Sequence, residues 1–454
     1  MKIHFIAIGG SAMHNLAIAL HKQGHKISGS DDQIFEPSRS RLFKHGLLPG
    51  NTGWDPNRLH KGLDAVIVGM HAKSDNPELA RARELGLKLF SYPEFLYHRS
   101  KNKTRIVIGG SHGKTTITAM IMHVLKYHNM NADYMVGALI DGFDVMVKLS
   151  DDAPVIVMEG DEYPSSPIDP RPKFHLYKPH IAVISGIAWD HVNVFKTFDD
   201  YLEQFRKFIH CIEDGGKLIF CMEDKTVKKI CEGLSDASLC LFPYALPEFR
   251  ITKGQTYIMH KGESYSIRLF GRHNLLNLNA ARMVLAQLGL SDEDFFEAMQ
   301  GFKGAGKRME IIYRDEDKMI IRDFAHAPSK LKATVEAVKE QYPSKHLLAC
   351  MELHTYSSLS KHFLSHYEGC MDAADEAMVF YSPHAIELKR LPALEPEIVA
   401  EAFKRPGIKV FNDKNMLERE LYGKDADNTC FLMMSSGNFG GMDFREWARS
   451  IAVK

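Results

Sequence analysis

Long apolar runs are missing from this chain. No segment approaches the roughly 20 consecutive apolar residues that a membrane helix requires. The N-terminus MKIHFIAIGG has one lysine, a very short apolar stretch and then turn glycines, with no signal-peptide cleavage region. Excess charge of either sign is also missing. Lys plus Arg number 57, as do Asp plus Glu, so the formal net charge is zero and there is no global electrostatic case for a nucleic-acid partner. The 7 cysteines are scattered and form no C-x-x-C pair, which argues against a zinc site or a disulfide framework and fits a reducing compartment. Low-complexity tracts, coiled-coil heptads and short internal repeats do not occur. The expectation is a soluble cytoplasmic protein, not inserted in a membrane, that acts on small molecules.

Strand and helix patterns alternate along the whole chain, which predicts parallel sheets covered by helices. In the first block, KIHFIAI reads as a strand, SAMHNLAIALHKQG as an amphipathic helix and HKISGS as a second strand, and LDAVIVGM and LKLFSY continue the alternation. After the basic stretch 99–105 the pattern restarts with the strand RIVIGG and the helix TTITAMIMHVLKYHN. PVIVM, HIAVISGI and KLIFCM are further strands, and DDYLEQFRKFIHCI and GRHNLLNLNAARMVLAQLG further helices. A third block runs from MIIRDF and the helix PSKLKATVEAVKEQY through HLLACMEL, EAMVFY, IKVF and CFLMMSS. The expected division is 1–102, 103–312 and 313–454, three α/β domains on a chain long enough to hold several cores.

Two strand-to-helix turns carry the chemistry. In the first, Ala7, Gly9 and Ala12 occupy the key positions of a degraded G-x-G-x-x-G/A fingerprint, and Asp31 ends the second strand, where an acid can bind a ribose hydroxyl. Small residues there let backbone amides approach a diphosphate, although the same glycines would serve a simple tight turn. The second turn, GGSHGKTT, is a phosphate-loop pattern with Ile108 where the first glycine of G-x-x-x-x-G-K-[ST] belongs. Gly110, Ser111, His112 and Gly113 offer successive amides to an anion, Lys114 can reach the β- and γ-phosphates of ATP, and the hydroxyl of Thr115, ahead of Thr116, can ligate Mg²⁺.

Downstream, PVIVMEGDEY ends a buried strand at Glu159, placed to hold the metal, with Asp161 and Glu162 as further acids. One carboxylate suffices, and the other two would sit in a solvated acidic turn. The strand HIAVISGI delivers Asp190-His191, with His191 either a ligand or an ordinary structural histidine. Asn274 and Asn277 share one helix face; their carboxamides can read adenine or simply cap the helix. RDFAHAP puts Asp323 and His326 just past a strand, at the usual ligand crevice of an open sheet, and Arg308 in KRME has either a phosphate or a surface acid as partner.

Together and in this order, HFIAIGGSAMHNLA, GSDD, GGSHGKTT, EGDEY, the Asp-His pair, GRHN-LLN, KR-ME and DFAHAP resemble the Mur ligases, over nearly the whole chain. The resemblance implies a Rossmann-like N-terminal domain for a UDP-sugar, a P-loop ATPase-like central domain and a Rossmann-like C-terminal domain for the amine substrate. It also accounts for Ile108, because the ATP loop of this family departs from the full NTPase pattern. By position it makes Thr115, Glu159 and His191 the metal site and Lys114 a phosphate ligand. It turns Asn274 and Asn277 toward adenine, sets Arg308 and Asp323 against phosphate or ribose, and puts Gly10, Ser11, Met13, His14, Asp31 and His71 around UDP. Several family members carry a carbamylated lysine where this chain has Phe205, and close relatives often have a second histidine where it has Ala327.

The implied activity is an ATP-dependent carboxylate–amine ligase that releases ADP and phosphate, with UDP-N-acetylmuramate and an amino acid or peptide as substrates. Segment 159–191, Glu352 and SSGNFGG resemble the branch that adds the tripeptide L-alanyl-γ-D-glutamyl-meso-diaminopimelate, whereas His354 and Tyr356 resemble the L-alanine-adding branch. A nucleotide-dependent oxidoreductase built on the first fold alone would leave Gly113-Lys114-Thr115 without a role. An ATP-regulated binding module would release no ADP with amide formation.

Overall fold

The computed structural model describes residues 1–140, 142–143, 145–189, 194–234, 238–304, 306, 308–424 and 426–452. The described residues pack as two units. One comprises Met1–Ile187, Thr197–Ala245 and Leu278–Ala298, and the other Ala188–Lys196, Leu246–Asn277 and Met299–Lys454.

The first unit holds two parallel sheets. The N-terminal sheet has four strands in the order Lys26–Ser30, Lys2–Ile6, Ala65–Val68, Leu89–Ser91. Of its inner strands, AVIV (65–68) is apolar and buried at every residue, as buried parallel strands are. The second sheet runs Cys240–Tyr244, Lys217–Cys221, Ile181–Ile184, Thr104–Gly109, Val155–Glu159, Ala132–Met135 and Val147–Lys148, with only the last pairing antiparallel. From Thr104–Gly109 the chain crosses to Ala132–Met135, returns to Val155–Glu159 beside its start, then moves to Ile181–Ile184 on the other side. This reversal is a topological switch point, where the carboxyl ends of neighbouring strands splay their loops apart and leave a crevice.

The second unit holds a three-stranded antiparallel sheet, Phe249–Thr252, Gln255–His260 and Glu263–Ile267, that the strand-helix alternation does not anticipate. Its six-stranded sheet is ordered Glu310–Arg314, Met319–Asp323, Thr429–Met434, His346–Leu353, Glu376–Tyr381, Lys409–Phe411, parallel except for the first pairing. Residues 310–312 therefore lie inside this sheet, on the far side of the division expected at 312. Both faces are covered: Leu331, Val335 and Val338 pack on one side, and Leu417, Leu421 and Trp447 on the other. Among the described residues, no helix is long and apolar enough to cross a membrane.

Candidate functional site

The turn after Thr104–Gly109 is shaped by two glycines. Gly110 has φ +129°, and a Cβ there would lie 2.2 Å from the Ser185 hydroxyl; Gly113 caps the next helix at φ +78°. Ser185, at the end of the neighbouring strand, holds the turn from outside. Its hydroxyl donates to the carbonyls of Gly109 at 3.2 Å and of His112, and Ser111 N donates to Gly186 O at 2.8 Å. The helix Lys114–Tyr127 then begins with no side-chain cap, so its first amides and its dipole favour an anion.

Four side chains meet over this turn, in two pairs. The Thr115 hydroxyl lies 2.8 Å from Glu159 Oε1, and the other oxygen of Glu159 accepts Gly137 N at 2.7 Å. Lys114 Nζ donates to Gly110 O at 2.6 Å and to Glu162 Oε2 at 2.7 Å. Burial works against the lysine's charge, yet the carboxylates of Glu162, Asp161 and Glu159 outweigh it and raise its pKa. Glu162 is thus not part of a solvated turn. It is 1% exposed, and its second oxygen accepts the Tyr201 hydroxyl at 3.2 Å, which in turn lies 2.7 Å from the Ser111 hydroxyl. A buried carboxylate needs such partners, and the lysine of the loop supplies its charge. Asp161 pairs with Lys173 at 2.6 Å. Nothing in the spacing of EGDEY distinguishes the buried Glu162 from Glu159, which meets Thr115, and Tyr201 and Ser185 carry no sequence signature at all. Thr116 is buried in the first turn of the helix. His191 lies outside the described residues. A hydroxyl in the first turn of a helix and a carboxylate at the end of the strand beside it converge, and together they suit a hard cation that takes oxygen ligands.

Phe205 is fully buried, edge-on to Phe174 at 5.6 Å and to Tyr201 at 5.2 Å.

In the N-terminal sheet, the turn at Ala7–Gly10 is fixed by the next strand. Ala7 and Ile8 amides donate to Ser30 O at 2.9 and 3.0 Å, Gly9 N donates to Asp31 Oδ2 at 2.7 Å, and Ala7 takes a positive φ of +68°. Burial first, then the neighbouring Asp32, lift Asp31 to a pKa of about 6. Gly10 caps the helix Ser11–Lys22, which has no side-chain cap. Met13 and His14 are buried in its first turns, with His14 Nδ1 2.9 Å from Gly10 O and its pKa lowered, chiefly by burial. His71 is exposed in the turn that follows Ala65–Val68.

In the second unit, Asp323 ends its strand buried and organises two loops, accepting Met309 N at 2.8 Å and Ala325 N at 2.7 Å. Arg308 lies over the Phe324 ring at 5.4 Å, and His326 Nδ1 is 2.9 Å from Phe324 O. Asn274 and Asn277 are buried, and Asn274 Nδ2 donates to Phe270 O at 3.0 Å, a local contact one turn back along the chain. Glu352, 1% exposed, accepts the Ser435 hydroxyl and Phe439 N (2.8 Å) and so fixes the loop 435–439. Burial pushes this carboxyl up, but hydrogen bonds from His354, Ser435 and Phe439 bring its pKa below the ordinary value.

Comparison with known proteins adds three findings. Residues 2–104 match the Mur ligase family, catalytic domain, and residues 108–285 the Mur ligase middle domain. The UDP-N-acetylmuramate–L-alanine ligase of Limosilactobacillus reuteri is 30% identical over 398 residues, 83% of this chain and 84% of that protein. Two solved structures share the fold. They are a UDP-N-acetylmuramate-alanine ligase from Thermotoga maritima (TM-score 0.73, 21% identity, 100% of both chains) and a murein peptide ligase from Psychrobacter arcticus (TM-score 0.64, 22% identity, 99% of both chains).

Proposed function

The chain belongs to the Mur ligase family, and we propose that it joins UDP-N-acetylmuramate to L-alanyl-γ-D-glutamyl-meso-diaminopimelate at the expense of ATP. The observation that carries the ligase chemistry is the meeting of Lys114, Thr115 and Glu159 at the switch point of the central sheet, with Thr115 and Glu159 2.8 Å apart. A carboxylate is a poor electrophile, so it must be activated before an amine can displace oxygen from it. A carboxylate oxygen of the sugar attacks the γ-phosphorus of ATP and ADP leaves. The amine then attacks the acyl carbon, phosphate departs with the former carboxylate oxygen, and the amine loses a proton.

Positioning and charge neutralisation carry most of such a reaction. The amides of 110–113 cradle the phosphates, and Lys114 places its ammonium on them. Thr115 and Glu159 would hold Mg²⁺, with His191 as a further ligand by family resemblance. When bound, that ion neutralises charge on the phosphoryl oxygens. The loop around Gly10, Ser11, Met13, His14 and Asp31, with His71, takes the UDP portion, and Asn274, Asn277, Arg308, Asp323 and His326 take the adenosine portion and its phosphate.

The tripeptide is favoured as donor by the resemblance of the segment 159–191 and of Glu352 with the loop it fixes, a buried polar feature of the six-stranded sheet. A second reading, L-alanine as donor, is favoured by the activity named for the Limosilactobacillus relative. A competition decides between them. The protein receives UDP-N-acetylmuramate, ATP, Mg²⁺ and equal amounts of L-alanine and tripeptide, and the products are weighed by mass spectrometry. Two charge-assisted hydrogen bonds that only the tripeptide makes, each about 1.5–3 kcal/mol, correspond to a preference of roughly 10²–10⁴. Predominant UDP-N-acetylmuramyl-L-alanine would overturn the tripeptide reading, and no amide from either donor would overturn the ligase reading.

A further inference from the structure

The ammonium of Lys114 has three protons to donate. Two go to fixed acceptors, Gly110 O at 2.6 Å and Glu162 Oε2 at 2.7 Å, which leaves one for a phosphate oxygen in the loop. The direction of that third proton therefore depends on where Glu162 stands. The other oxygen of Glu162 accepts the Tyr201 hydroxyl at 3.2 Å. A carboxylate paired with an ammonium only accepts, so Tyr201 is the donor there. Its single proton is then in use, and the Ser111 hydroxyl, 2.7 Å away, must donate to Tyr201. The bonds run in one direction, from Ser111 through Tyr201 to Glu162, where they meet the lysine. Ser111 and Lys114 both belong to the phosphate loop, so this chain of bonds closes on the loop itself.

Tyr201 has little freedom to move. It lies near the start of the helix Phe198–His210, whose N-cap Thr197 accepts Asp200 N at 3.1 Å. The residue is fully buried, and its ring is edge-on to Phe205 at 5.2 Å. Ser111 and Glu162 are buried as well. A hydrogen bond to a carboxylate is strong in such surroundings. It also spreads the charge of Glu162 over a second partner, so that more of the ammonium's pull is left for phosphate.

Building on the ligase reading above, we propose that Tyr201 is a positioning residue for phosphoryl transfer: through Glu162 it aims the ammonium of Lys114, and through Ser111 it ties that aim to the shape of the loop. A donor fixed before charge develops on the phosphoryl oxygens needs no rearrangement as the reaction proceeds.

Tyr201→Phe keeps the ring beside Phe205 and removes the hydroxyl. ADP release is followed with UDP-N-acetylmuramate, ATP, Mg²⁺ and both amine donors present, and rates are compared per folded molecule. The variant is expected to lose about 10–100-fold in kcat, the worth of one hydrogen bond to a charged group. KM for ATP changes little, because the lysine is still present and only its aim in the transition state is lost. The Kd of UDP by calorimetry stays at the parent value. In a Glu162→Gln background the same change costs less than about 3-fold, since the carboxylate through which Tyr201 acts is gone. A tyrosine that only supported the fold would lower Tm and leave kcat per folded molecule intact. Ser111→Ala breaks the chain at its other end and is expected to lower kcat about 2–10-fold, which keeps the test open should Tyr201→Phe fail to fold. Parent-like kcat in either variant, a raised KM for ATP without a fall in kcat, or equal losses from Tyr201→Phe in the two backgrounds would overturn the assignment. A parent protein that releases no ADP would instead overturn the ligase reading on which it rests.

Discussion

Replacing Lys114 tests the phosphate loop, but the structure makes the result two-sided. Its ammonium is 2.7 Å from Glu162, and the two side chains are 14% and 1% exposed. Removing one partner of so buried a pair strands the other charge, at a cost of about 3–5 kcal/mol, a large part of a typical stability of roughly 5–15 kcal/mol. Loss of a contact to the transferring phosphoryl group separately costs about 10²–10³ in rate. Lys114→Met keeps the apolar stem and isolates the charge. It is expected to lose both stability and ligation. The double variant Lys114→Met/Glu162→Gln removes the stranded carboxylate and should regain most of the stability while ligation stays low. Urea unfolding and steady-state ADP release report the two effects. The stability difference has a pH window. The folded pKa of Lys114 is raised above its ordinary 10.5, so its contribution is full below that value and fades as pH rises through the higher folded one. A single variant destabilised by less than about 1 kcal/mol would refute the buried-pair argument. Recovery of turnover in the double variant would refute the role of Lys114 in phosphoryl transfer.

Two further substitutions probe the loops. Gly110→Ala puts a Cβ at φ +129°, 2.2 Å from the Ser185 hydroxyl and 3.0 Å from its amide. The expected cost is about 1–3 kcal/mol of backbone strain with a clear rise in KM for ATP; because the amide contact remains, Ser185→Ala does not rescue it, and rescue would show that the hydroxyl alone sets the turn. Asp31→Asn keeps an acceptor for Gly9 N and removes the titration. Burial lifts the folded pKa of Asp31 from 3.8 to about 6, so the parent gives up stability relative to the variant as pH rises through that interval. A difference in Tm between parent and variant that is flat from pH 4 to pH 7 would count against this environment for Asp31.

The linear order of residues by itself determined the alternation of strands and helices, because a parallel strand buried on both faces must be apolar throughout and a covering helix must show its period. It also determined the two glycine turns, at Gly9–Gly10 and Gly109–Gly113, since Gly9 leaves no room for a Cβ and Gly110 and Gly113 take positive φ. The order of its motifs sufficed to resemble one family. The antiparallel strands at 249–267 were not legible, because they are short and half-exposed and carry a weak period. Only the tertiary structure decided which acid of EGDEY is buried against Lys114 and which meets Thr115. The three acids lie within four residues of chain, and their fates depend on Tyr201, Lys173 and Gly137, brought in from other elements.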